Sequence, residues 1–122
     1  MKGERQLVAE FADLITDDME GQGTIEIIIQ EQDFFNKDIK EFTVFYKILG
    51  ESRIKLFRNN RMELVFVRLN DDWMRQAKTD LTGVEGPLTV KLHWDNRSVD
   101  ELSIKKPGES DFNRVLAVQI DN

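Results

Sequence analysis

The chain predicts a single α+β domain spanning residues 1–122: an N-terminal helix packed on a mainly antiparallel sheet of five or six strands, a short middle helix, and a C-terminal helix or strand. Three observations carry that expectation. Apolar residues recur at helical spacing near the start, they alternate at period two through the middle, and Gly-Pro or Asn-Asn pairs punctuate the segments. A chain of 122 residues buries roughly two-thirds of its unfolded surface, enough for one core.

Leu7, Val8, Phe11, Leu14, Ile15 and Met19 share one face of a helix from about Glu4 to Met19, which Gly21 and Gly23 end. Thr24 to Gln30 reads as a strand with Ile25, Ile27 and Ile29 on one side. Glu41 to Leu49 reads as a second, apolar on both faces and closed by Gly50. Arg53 to Arg58 and Arg61 to Leu69 look like two strands joined at Asn59-Asn60, since asparagine tolerates the positive φ of tight hairpin turns. With a two-residue loop, Phe57, Met62, Leu64 and Phe66 share one face, while Ile54, Leu56, Val65 and Val67 share the other. That two-sided apolarity implies a central place in the sheet.

Asn70-Asp71-Asp72 joins a capping side chain to acids in a first turn, so a short helix is expected over Asn70 to Lys78. After the turn signals Gly83 and Gly86-Pro87, the alternation of Leu88, Val90, Leu92 and Trp94 predicts a half-buried strand. Asp95 to Ser98 then turns into Val99 to Lys105, with Leu102 and Ile104 inward. Ser110 to Asn122 suits a helix or a strand, with a slight preference for helix.

The absence of cysteine removes disulfides, thiolate metal sites and thiol nucleophiles. Neither a signal-peptide core nor an apolar run long enough for a bilayer is visible, so a cytoplasmic, non-membrane protein is expected. The net charge of −6 opposes general attraction to nucleic acid. It is unevenly spread: 5 basic and 12 acidic residues to Glu51, 7 and 3 from Ser52 to Lys78, and 5 and 8 thereafter.

The single histidine, His93, limits proton-transfer chemistry and reads as an exposed residue on a polar strand face. The adjacent acids Asp17-Asp18, Asp71-Asp72 and Asp100-Glu101 lack the alternating oxygens of a calcium loop, so no metal is assigned. Gly21-Gln22-Gly23 is no dinucleotide fingerprint, and GxxxxGK[ST] is absent, so no cofactor is implied. Arg53, Lys55, Arg58 and Arg61 around Phe57 give a sparse basic hairpin of the kind that contacts single strands.

No catalytic constellation emerges, and the sequence does not name a function. The leading expectation is a non-catalytic protein-binding module, an inhibitor, immunity-type or chaperone-like protein that masks a partner. Its expected contacts are Asp13, Asp17, Asp18 and Glu20 at the end of the first helix, and Arg58 and Arg61 at the hairpin turn. The alternatives are a ligand-binding domain or enzyme with Tyr46, Trp73, His93 or Trp94 in a pocket between helix and sheet, and a nucleic-acid-associated protein using the basic hairpin. Edge-strand pairing into a homodimer stays open.

Overall fold

The computed structural model describes residues 4–8, 21–49, 52–70, 73–96 and 98–117. These are mostly strand, which overturns the α+β expectation. The strands are β1 Gln22–Ile29, β2 Phe42–Leu49, β3 Ser52–Arg58, β4 Glu63–Asn70, β5 Trp73–Asp80, β6 Leu88–Asp95, β7 Ser98–Lys105 and β8 Asn113–Ala117. They form two four-stranded sheets, β1-β6-β7-β8 and β2-β3-β4-β5, in which every pairing is antiparallel. One apolar cluster draws on both: Ile29, Val90, Leu92, Leu102 and Ile104 from the first, and Phe45, Ile54, Leu56, Leu64 and Phe66 from the second. The result is a β-sandwich, in which each inner face covers the other.

Helical structure is confined, among the described residues, to residues 4–8 and a 3-10 turn at Gln32–Phe35. The rest of the helix expected to Met19 lies outside the described residues. Leu7 of the helical turn is buried in the core, and the Glu4 carboxylate accepts the Thr43 backbone N–H at 3.0 Å, where β2 carries a bulge.

The short helix expected over Asn70 to Lys78 is strand β5. Gln76, Lys78 and Asp80 are exposed, whereas Ala77 and Thr79 are half-buried opposite Phe66 and Leu64. That is a period-two pattern, and pairing with β4 overrides a modest helical propensity and a capping signature. The C-terminal segment, whose pattern slightly favours a helix, forms strand β8 against β7. Asp80 closes β5: its carboxylate accepts both the hydroxyl and the backbone N–H of Thr82, which hold its pKa below the usual value.

The β3–β4 hairpin differs from expectation in register. Arg58 faces Leu64 and Asn59 N–H donates to Glu63 O, so three residues form the loop instead of two. Met62 N–H donates to Asn59 O at 3.2 Å, and Met62 takes φ 58°, the pattern of a type I turn followed by a left-handed residue. The Asn59 side chain fixes this loop by accepting from the backbone N–H groups of Arg61 and Glu63, both at 3.0 Å.

An odd shift of register exchanges the two faces of a strand. Ile54, Leu56 and Arg58 therefore point inward with Leu64 and Phe66, and Phe57 goes outward with Val65. Arg58 is fully buried. Its Nε donates to Phe34 O at 2.9 Å, Nη1 donates to Ile39 O and Asn59 O, and Nη2 donates to Asp33 O and Asn36 O. All five acceptors are backbone carbonyls, four of them in the crossover between β1 and β2. Burial pushes the Arg58 pKa down, but arginine stays charged.

Arg58→Met keeps the apolar stem and deletes the donors, leaving buried carbonyls unpaired. Stability should fall by about 3 kcal/mol or more, read as a lower urea midpoint, with Arg58→Lys between the two; an unchanged midpoint for Arg58→Met would contradict the buried network. A second site tests the first sheet, where a Cβ on Gly23 would meet the Trp94 indole at 2.1 Å. Gly23→Ala should cost about 1 kcal/mol or more and shift the tryptophan fluorescence as the ring is displaced.

Candidate functional site

The outer face of the second sheet is built as three rows across its strands. Tyr46, Lys55, Val67 and Gln76 form one; Ile48, Arg53 and Leu69 a second; Thr43, Phe57, Val65 and Lys78 a third. These rows follow from the antiparallel registers, because directly opposed residues project to the same side. Tyr46 is 43% exposed and Ile48 54%. Arg53 is exposed opposite Ile48, Gln76 and Lys78 are exposed on the far edge strand β5, and Val65 between them is buried.

Lys55 is the central cation of this face. Its ammonium stands 4.6 Å from the Phe57 ring centroid and 3.1 Å from the Glu41 carboxylate, which holds its stem across the ring. Glu63 and Asp80, opposite each other at one end of the sheet, supply acid only at the rim. Apart from Glu41 against Lys55, the three rows carry apolar, uncharged polar and basic side chains, which sets them against the net charge of −6 carried by the chain.

The first sheet presents a polar outer face. His93 Nδ1 lies 2.5 Å from the Asp100 carboxylate, with side-chain exposures of 30% and 35%. Since a carboxylate only accepts, Nδ1–H donates to Asp100. His93 is thus an oriented, half-buried group, not a fully exposed one. Asp100 sits where the β6–β7 register shifts, between Val99 opposite Trp94 and Glu101 opposite His93. That irregularity turns it toward the imidazole, and a strict period-two reading had no means of finding it.

Arg58, one of the expected contacts, is buried in its carbonyl network and presents nothing to a partner. Arg61 stands exposed on the β3–β4 loop. Asp13, Asp17, Asp18 and Glu20 lie outside the described residues. Tyr46 and His93 lie on outer faces of different sheets, and Trp94 covers Gly23. A cleft of about 340 Å³ is lined by Gln30, Gln32, Glu85, Gly86 and Pro87, none of them among those aromatics.

Tyr46 and Ile48 were legible in part, since apolar residues on both faces of β2 marked the strand as having a second surface. No helix among the described residues is long and apolar enough to cross a membrane. Compared with protein-family models, with curated proteins and with solved structures, the chain gives no significant match.

Proposed function

We propose that the chain is a non-catalytic protein-binding module of the cytoplasm that masks a partner, and that the outer face of the second sheet is its docking surface. The observation that supports this reading is the exposure of Tyr46 and Ile48 on β2 beside Arg53, which opposes Ile48 on β3. Contiguous exposed apolar surface on a soluble domain marks an interaction site, and aromatic residues with arginine are enriched where partners dock. The matching partner presents an apolar centre ringed by carboxylates.

A second reading draws on Phe57, Arg53 and Lys55 sharing that face, the combination of ring and cations used for single-stranded nucleic acid. Lys55 already covers the Phe57 ring, which leaves less of it for a base.

Affinity capture of the tagged chain from its native cells, at low and moderate salt, separates the two. The proposal expects one stoichiometric protein, retained at moderate salt by the wild type and reduced at least tenfold by Tyr46→Ala with Ile48→Ser, a loss of about 1.4 kcal/mol. Capture of that protein undiminished by the double variant would contradict the surface assignment. Recovery of nucleic acid that Arg53→Glu releases would favour the second reading.

A further inference from the structure

We infer that two copies of this chain associate through β1, antiparallel about a two-fold axis at Ile27, to make one continuous eight-stranded sheet. The inference does not rest on the docking reading, since β1 belongs to the other sheet.

An edge strand leaves a row of unpaired N–H and C=O groups, which natural sheets protect with proline, inward charges, bulges or a covering segment. At β2 the Thr43 N–H is taken by Glu4, and β5 and β8 lie against each other. Strand β1 has none of these devices among the described residues. It reads Gln-Gly-Thr-Ile-Glu-Ile-Ile-Ile, with no proline, one charge and an unshifted register against β6. Ile28 is 52% exposed on it, and Ile25 and Ile27 are only half-buried.

The hydrogen-bond phase identifies which groups are free. Asn96 N–H donates to Gly21 O at 2.8 Å, just beyond the facing pair Gln22 and Asp95. Bonding alternates along an antiparallel pair, so Gly23, Ile25, Ile27 and Ile29 turn their backbone groups toward β6. Gln22, Thr24, Glu26 and Ile28 turn theirs outward.

The occupant that matches this row is β1 of a second copy. An axis at Ile27 sets Glu26 opposite Ile28 and Thr24 opposite Gln30 as hydrogen-bonded pairs, with Ile25 opposite Ile29 between them. No charge then faces its own kind. An axis at Glu26 would oppose two carboxylates, which is unfavourable in directly facing positions. Such an isologous contact closes on itself as a dimer.

The chain contains no cysteine, so a single introduced thiol reports the register. Ile27 would face its own copy in a non-hydrogen-bonded pair, where side chains approach within reach of a disulfide. The wild type should sediment as a dimer, Ile27→Cys should cross-link under mild oxidation, and Thr24→Cys, which faces Gln30, should not. Glu26→Pro removes an outward N–H that an edge strand can spare and should give a monomer with unchanged circular dichroism; if it fails to fold, Ile28→Lys takes its place with the same expected result. A monomeric wild type at the highest concentration reached, a dimer that survives the folded variant, or cross-linking of Thr24→Cys in preference to Ile27→Cys would each overturn the inference.

Discussion

The guanidinium of Arg58 is the group around which the rest of the second sheet must be arranged. A charge removed from water keeps its hydration cost unless donors and acceptors are matched, and here five backbone carbonyls receive it. Those of Asp33, Phe34, Asn36 and Ile39 belong to the crossover that carries the chain from the first sheet to the second. Within the crossover, a short 3-10 turn and a turn over residues 36–39 make a few backbone bonds, which leave carbonyl capacity to spare. Arg58 thus supplies further donors to the carbonyls of this irregular segment, and the segment in turn permits arginine in a core. Phe34, packed edge-on against Phe35 and Phe42, closes the apolar side of the same junction.

The hairpin register and the Arg58 network depend on each other. Only a three-residue loop, with Met62 at positive φ and Asn59 tying its own loop, points Arg58 inward. That same register turns Arg53, Lys55 and Phe57 outward, where they meet Tyr46 and Ile48. One local choice of loop length therefore sets both the anchor of the core and the chemistry of the exposed face.

Much of the strand content was legible because period-two alternation is a local signal. Ile25, Ile27 and Ile29 mark β1, while Leu88, Val90 and Leu92 mark β6. The failures came where two local signals competed. Asn59-Asn60 suits a two-residue turn as well as a longer one, and nothing local reveals that Arg58 will find carbonyls some 20 residues earlier in the chain. Asn70-Asp71-Asp72 resembles a helix start, and the alternation of Gln76, Lys78 and Asp80 after it is too short to outweigh that resemblance without knowledge of β4. The site suffered likewise: a sequence block of cations does not say which of them face solvent, and Arg58 illustrates the difference. Asp100 beside His93 depends on a bulge, a feature with no strong sequence mark.

The register of β3 against β4 is tested most directly by nuclear magnetic resonance of the Arg58 side chain. Five bonds to buried carbonyls predict a slowly exchanging Nε–H and separate Nη resonances, together with backbone contacts between Leu56 and Phe66. A rapidly exchanging Arg58 signal, with Phe57 facing Met62 instead, would mean a two-residue loop, an arginine in solvent and a different outer face.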